Sequence, residues 1–574
     1  MLGKKCICPF CFLWYNHISF ECELENDAMD KKIPWDEYPR PQMKRKSYYN
    51  LNGVWKLDGN DIIVPYPPQS QLSGYKGKVS DEMIYEKNFS IPDDFNGGRI
   101  LLHFGAIDQI ATVWINNRKI GEHIGGYLPF YFDITEAINT NEKIVLKVEV
   151  KDTLDTDLPY GKQKKKPGGM WYTPVSGIWQ TVWLECVPEK YIKNVKLDVS
   201  LNTVKIKVEG NEKIERFKAS INLGNEDLYV VEVEGDETVI ELENPINWTP
   251  ENPYLYNMTI EVWDDTVETY FALRTISIIE IDGVKRVCLN NKPVFLHGVL
   301  DQGYFYDGIF TPKDACEYDR DIMSMKELGF NMLRKHIKIE PEYFYYACDK
   351  MGMLIMQDMV NTGEYSFFKD TALPTVGFKK KSDIKKNVTT AMTNFIAHTQ
   401  ETLERLYNHP SIVAYTVFNE GWGQFNSDEM YDLVKSLDES RLIDSTSGWY
   451  AQQKNDFDSE HIYFKIKELK PKKRPLFVSE CGGYKMIKAG HFYGRKEYGY
   501  GTCKDENVLM ERIEEMYEKM IIPGIKKGAC GCIYTQLSDV EDEINGLYTY
   551  DRRVCKVDKE RMNKIAKKLE EELW

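Results

Sequence analysis

Two apolar runs in the chain end in a glutamate: "IVAYTVFNE" closes on Asn419 and Glu420, and "LFVSE" closes on Ser479 and Glu480. A carboxylate at the end of a buried strand loses hydration, which raises its pKa towards the range that a general acid needs near neutral pH. With 89 acidic residues in the chain, either glutamate alone is a weak signal. Brought face to face, however, two carboxylates can divide the roles of proton donor and nucleophile across one bond, as they do at glycosidic linkages. Other polar residues that end apolar runs are candidate substrate contacts: Asp301, His336, Asp358, His461, Tyr463 and Gln536, with Asn419 beside the first glutamate. For His336 and His461 a structural role is nearly as good a reading, and Asp358 could instead orient Arg334 or Lys335. The indoles of Trp422 and Trp449 suit stacking or packing equally.

Such residues need a frame that collects distant strand ends. From about residue 280 the sequence alternates strand and helix. "PVFLHGV" reads as a buried strand, and Thr311-Pro312, with Asp314 at the capping-box position, predicts a helix start. Tyr318, Ile322, Met325 and Leu328 share one face of that helix, Gly329 caps it, and "FNMLR" returns as a strand. "GMLIMQDM" follows as a third strand, and Val388 to Leu406 forms a long helix ending at Asn408-His409-Pro410. "SIVAYTVFNE", "RLIDSTSG", "HIYF", "RPLFVSE" and "GCIYTQL" complete eight strands, the pattern of a (β/α)8 TIM barrel. Strands four and seven, which carry Glu420 and Glu480, face each other across such a barrel. A dinucleotide-binding GxGxxG and a P-loop are both missing. Upstream, "KIVLKVEVKD" and "ATVWINNRKIG" alternate as strands of an all-β domain, and "VKLDVSLNTVKIKVEG", "TVIELEN" and "YNMTIEVWD" suit a second, smaller sandwich. The expected fold class is therefore multidomain β plus α/β. We divide the chain into an extension (1–47), a β domain (48–187), a β-sandwich (188–276) and a catalytic barrel (277–574).

The sequence resembles glycoside hydrolase family 2, the β-galactosidase and β-glucuronidase family, over nearly the whole chain from about residue 48. "NHPSIVAYTVFNEGWGQF" is similar to the family's acid/base motif and "PLFVSECGGY" to its nucleophile segment. "GEHIGGYLPFYFDIT" and "VSGIWQTVWLE" resemble its jelly-roll sugar-binding domain, and "WTPENPYLY" with "YFALR" its immunoglobulin-like domain. The resemblance implies a retaining exo-β-glycosidase in which Glu480 attacks the anomeric carbon, Glu420 serves as acid and then base, Asn419 bonds the sugar 2-hydroxyl, and Tyr463 lies against the nucleophile. Glucuronidases of the family carry an Asn-x-Lys pair near the end of the barrel, whose lysine recognises the substrate carboxylate. Here Glu543-Ile544-Asn545 stands in that place, within an acidic loop containing Asp539, Glu541 and Asp542, and the eighth strand offers Tyr534 and Gln536 where a tryptophan is expected. A neutral pyranoside, β-galactoside-like, is expected, with β-glucuronide as the alternative and a silent carbohydrate-binding protein as a third reading. Lys335 and Arg553 are the first candidates for a substitute cation. No cofactor motif and no metal site is recognisable.

Composition agrees with a soluble enzyme. Net charge of −15 without a basic block argues against nucleic acid, and no apolar run reaches the roughly 18 to 20 residues of a membrane span. The partner expected is a carbohydrate or glycoside, with a homo-oligomer left open. Thirteen scattered cysteines suit reduced thiols and a cytoplasmic location better than a disulfide framework. Cys6, Cys8, Cys11 and Cys22 crowd the start after Lys4 and Lys5. A signal peptide and a metal knuckle are two readings, and a true start at Met29 is preferred.

Overall fold

The computed structural model describes residues 33–138, 143–223, 226–378, 382–470, 473–494 and 496–573. The cysteine-rich start and Met29 lie outside them. The first β domain packs a six-stranded against a four-stranded antiparallel sheet. Ile144, Leu146, Val148 and Val150 alternate inward from the central strand Ile144–Lys151, meeting Trp55, Tyr85, Leu102, Val113 and Leu184. A period of two puts every second residue on one face, so this alternation is what makes the sandwich. The second β domain pairs a three-stranded with a four-stranded sheet around Leu197, Ile206, Ile221 and Ile260.

Eight parallel strands follow: β1 (Leu296–Asp301), β2 (Met332–Lys335), β3 (Leu354–Asp358), β4 (Ile412–Asn419), β5 (Leu442–Ser447), β6 (Asp458–Ile462), β7 (Leu476–Gly482) and β8 (Ala529–Thr535). Their hydrogen-bonded order is β5-β4-β3-β2-β1-β8-β7-β6. Side chains stitch the remaining seam between β5 and β6: Asp444 accepts from Asn455 Nδ2 (3.0 Å) and Ser459 Oγ (2.7 Å), and Ile443 N donates to Asp456 (2.8 Å). Beneath the site the barrel is apolar, with Leu296, Met332, Leu354, Met356, Phe477 and Ile533 packed on Trp248, Ile276 and Leu289.

Helix α1 (Cys316–Glu327) buries Tyr318, Ile322 and Met325, with Leu328 buried just past its end and Gly329 at φ 83°. Its start differs from the Thr311-Pro312 expectation. Tertiary bonds to the first β domain and to the segment that precedes it hold this stretch out of the helix: Thr311 Oγ1 donates to Trp179 O, Trp35 Nε1 to Pro312 O, and Tyr66 OH to Lys313 O. Val388 likewise lies before its helix, α3 (Thr390–Leu406), and is exposed; Thr389 supplies the cap.

Asn408-His409-Pro410, which leads into β4, docks the barrel onto the second β domain. Asn408 accepts from Leu197 N (2.9 Å) and donates to Val195 O (2.6 Å), and Arg274 donates to Pro410 O (3.0 Å) and Ile412 O (2.7 Å). Asp349, on helix α2 (Glu342–Met351), completes the joint by accepting from Tyr270 OH (2.7 Å), Ser411 N (2.9 Å) and His409 Nδ1 (2.7 Å). Removing one partner from a buried charged network costs about 3–5 kcal/mol, because the groups left behind are neither solvated nor paired. Asp349→Ala should therefore lower the thermal midpoint by several degrees or split off an early transition, read by calorimetry. An unchanged thermogram would show that this joint contributes little.

Candidate active site

A bulge aims Glu480. Phe477 to Glu480 on β7 spans three steps against two from Ser459 to His461 on β6, and Val478 to Cys481 spans three against two from Cys532 to Tyr534 on β8. The extra residue in β7 bends the strand and turns the glutamate into the barrel mouth. Glu420 follows β4 in the left-handed region, φ 51°, anchored by its N–H to Ser447 O (3.0 Å). Such a backbone costs on the order of 1–3 kcal/mol and persists only where its surroundings hold it. Gly423 in the same turn has φ 62° and lies so close to β3's following loop that a Cβ would sit 2.1 Å from Thr362 O.

Arg334, fully buried at the end of β2, joins the strand ends. Its Nε donates to both oxygens of Asp358 (3.0 and 3.2 Å), Nη1 to Ser479 O (2.9 Å) and Glu480 Oε1 (3.2 Å), and Nη2 to Asn419 Oδ1 (2.9 Å). The amide oxygen of Asn419 is thus occupied, which leaves its NH2 as the group for a ligand. His461 stands between the glutamates: Nδ1 is 2.7 Å from Glu420 Oε1, and Nε2 is 3.0 Å from Ser447 Oγ and 3.6 Å from Glu480 Oε1. The Tyr463 hydroxyl donates to Glu480 Oε2, and its ring stacks on Tyr500 at 4.0 Å. His336 Nδ1 meets Asp358 Oδ2 at 2.7 Å, and burial pulls the imidazole down to about 4. It is neutral, so with its proton on Nδ1 facing the carboxylate, Nε2 is an acceptor.

The strand-end residues therefore separate. Glu420, Glu480, Asn419, His461 and Tyr463 converge, and Asp358 and His336 support them. His461 is a bridge between carboxylates rather than a separate subsite contact. Two expectations need correction. Asp301 is spent on Lys335 Nζ (2.5 Å) and Gly303 N (2.8 Å), because Lys335 points outward beneath the Phe344 ring. Gln536 spends both ends of its amide on Gln302 (2.8 Å) and Asn545 (2.9 Å). Trp422 is 3% exposed and packs on Trp171 (5.3 Å), so it is an element of the interface with the first β domain and not an open platform; Trp449 is also buried. Arg334 was legible only as a partner of Asp358, although it too ends an apolar strand. Lys162, Trp171, Tyr172 and Tyr500 carried no such signal, since they reach the mouth from loops.

Three family models match in order: "Glycosyl hydrolase 2 galactose-binding domain-like" over 72–179, "Glycosyl hydrolases family 2" over 184–274, and "Glycosyl hydrolases family 2, TIM barrel domain" over 279–478. The chain belongs to glycoside hydrolase family 2. The barrel match ends just short of Glu480, so the family assignment does not itself reach that residue. Among relatives, a β-galactosidase of Thermoanaerobacter pseudethanolicus is 27% identical over 446 residues, 72% of this chain and 55% of the relative. A β-glucuronidase of Streptococcus agalactiae is 24% identical over 414 residues, 66% of this chain and 67% of the relative. This family-2 chain thus spans about half to two thirds of those relatives. A crystal structure of Ruminococcus gnavus β-glucuronidase superposes with a TM-score of 0.73 at 18% identity, covering 93% of this chain and 100% of that one, which establishes the shared fold.

The two glutamates of this family-2 site have opposite electrostatics. Burial raises Glu420, the charge of Glu480 adds to the rise, and the His461 contact only partly offsets it. Burial acts on Glu480 in the same sense, but His461, Arg334 and the Tyr463 hydroxyl outweigh it and hold the carboxyl below its usual range. One oxygen of each glutamate and a His461 nitrogen lie within 4.8 Å of one another, a donor set that a metal ion can use; here His461 is hydrogen-bonded to Glu420 and stands 3.6 Å from Glu480. The Tyr463 contact stabilises the ionised form of Glu480, so Tyr463→Phe should raise that pKa. The acidic limb of the kcat/KM profile, where activity is lost as Glu480 takes up a proton, should then move to higher pH, with kcat reduced about 10- to 100-fold, the worth of a hydrogen bond to a charge. A limb that stayed in place would show that Tyr463 does not act on Glu480.

Proposed function

We propose that the protein is a retaining exo-β-glycosidase that removes a terminal pyranose, with Glu480 as nucleophile and Glu420 as acid and then base. The spacing of the carboxylates carries this reading. Retaining enzymes hold them roughly 5–5.5 Å apart and inverting enzymes roughly 6.5–9.5 Å, with room for a water. One oxygen of Glu420 and one of Glu480 approach within 4.8 Å, a closest approach that agrees with the shorter spacing and so supports direct attack. Glu480 attacks the anomeric carbon as Glu420 gives its proton to the departing oxygen, forming a glycosyl ester on Glu480. Ester formation removes the negative charge that helped keep Glu420 protonated. Glu420 therefore ionises more readily in the intermediate and takes a proton from the water that releases the sugar. Asn419, turned by Arg334, is placed to donate to the sugar 2-hydroxyl.

Relatives of this chain are named β-galactosidase and β-glucuronidase in similar measure. A neutral, β-galactoside-like sugar is supported by Glu543-Ile544-Asn545 standing where glucuronidases have their lysine. The β-glucuronide reading is favoured by Lys162, a lysine at the mouth from another domain. Neither Lys335, paired with Asp301 and Glu340, nor Arg553, 78% exposed in its side chain, is placed to substitute for it. The intact carboxylate pair argues against a silent sugar-binding protein, and the nine free cysteines among the described residues support a reducing, cytoplasmic setting.

Two variants separate the catalytic roles. Glu480→Gln should abolish turnover of every glycoside. Glu420→Ala should retain activity mainly on aryl glycosides with good leaving groups, and azide should restore turnover by entering where the activated water would. Equal losses on activated and unactivated leaving groups would remove Glu420 from the acid role, and an active Glu480→Gln enzyme would refute the mechanism.

A further inference from the structure

A long loop of the sugar-binding domain crosses to the barrel mouth and is pinned on two sides. On one side Tyr160 N donates to Asn361 O (3.1 Å), Tyr160 OH to Gly363 O (2.9 Å), and Gly363 N to Thr156 O (2.6 Å). On the other, Thr173 N donates to Glu541 Oε1 (3.0 Å) and Tyr172 OH to Glu543. Between these anchors lies Lys162, only 6% exposed. Its ammonium sits 5.2 Å from the centre of the Tyr172 ring and 5.7 Å from that of Trp422, and its charge acts on both Glu420 and His336.

Several other buried cations around the barrel have counter-charges, and buried Arg274 has the carbonyls of Pro410 and Ile412. Arg334 has Asp358 and Glu480, Lys335 has Asp301 and Glu340, Lys338 has Glu340, and Lys556 has Asp539. Among the described residues, Lys162 Nζ has neither an ion-pair partner nor a hydrogen-bond acceptor. The Lys162 side chain is largely enclosed while its Nζ keeps contact with solvent at the mouth, so its charge is held by two aromatic faces and water and is open to an entering anion. The nearby acidic loop does not supply the partner: none of its carboxylates is within ion-pair distance of Lys162 Nζ, and they accept instead from Lys556 (Asp539, 2.7 Å), Thr173 N (Glu541), Lys496 N (Asp542, 3.2 Å), and Tyr172 and Asn545 (Glu543, the latter at 3.0 Å).

Resting on the glycosidase reading above, we infer that Lys162 is a specificity-determining residue, contributed by the sugar-binding domain, whose ammonium pairs with a carboxylate on the bound sugar. The site then takes β-hexuronides as well as neutral pyranosides. The cation comes from the first domain, while the barrel segment that would have carried it is used to dock that domain.

The test measures kcat/KM of the full chain, wild type, Lys162→Met and Lys162→Arg, on aryl β-glucuronide, β-galacturonide and β-galactoside. The wild type should hydrolyse at least one hexuronide, and the two epimers show which ring it fits. Lys162→Met should lower hexuronide hydrolysis at least about 30-fold, with a loss on the galactoside at least about tenfold smaller, while Lys162→Arg restores part of the hexuronide activity. Inhibition of the wild type by free glucuronic and galacturonic acids, against glucose and galactose, gives an answer that does not depend on a variant folding. Stronger inhibition by an acid than by its neutral counterpart supports the inference. Galactoside turnover with no hexuronide turnover, equal losses on all three substrates, or no preference for the acids would overturn it and leave the glycosidase reading standing. No turnover of any glycoside would overturn both.

Discussion

The guanidinium of Arg334 is the interaction on which the site depends. It lies fully buried above an apolar barrel floor, where a charge survives only if anions and acceptors surround it closely. Asp358, Glu480, Asn419 and the Ser479 carbonyl do so, which fixes the ends of β2, β3, β4 and β7 relative to one another. A planar donor fork specifies direction as well as charge, so the same contacts orient the Asn419 amide and hold Glu480 as an anion. A lysine could supply the charge but not this geometry.

Around that centre, two chemically identical side chains are given different electrostatic surroundings. Glu480 has a cation, a tyrosine hydroxyl and an imidazole; Glu420 has burial, one imidazole and the repulsion of its neighbour. Burial acts on both in the same direction, so the charges around them decide the outcome. The bulge in β7 and the left-handed turn after β4 bring the carboxylates together from opposite sides of the barrel.

The first β domain is part of this arrangement. Its loop meets the barrel mouth through Tyr160, Tyr172 and Thr173, packs Trp171 on Trp422, and places Lys162 in the field of Glu420. The acidic loop after β8 looks repulsive in sequence, yet in the fold it is an acceptor surface that fastens one domain to the other. Asn408-His409-Pro410 plays a comparable part on the opposite side, joining barrel to sandwich.

The order of strands and helices, the inward faces of the β domains and the candidate glutamates were legible in the sequence because they rest on local periodicity and on chain order, which a linear pattern records. Glu420, Glu480, Asn419 and Tyr463 could be singled out because each ends an apolar run, and strand ends gather at one face of a barrel. Where local rules failed, a tertiary partner had intervened: Thr311-Pro312 reads as a helix start but is held by the first β domain and the segment before it, and Asp301 reads as a strand-end ligand but is taken by Lys335. The sequence by itself determined the fold class and the carboxylate pair. Only the tertiary structure decided which charges compensate one another, and so left Lys162, far from the barrel in sequence, as a cation at its mouth with no ion-pair partner among the described residues, because electrostatic pairing depends on distances between residues that chain order does not fix.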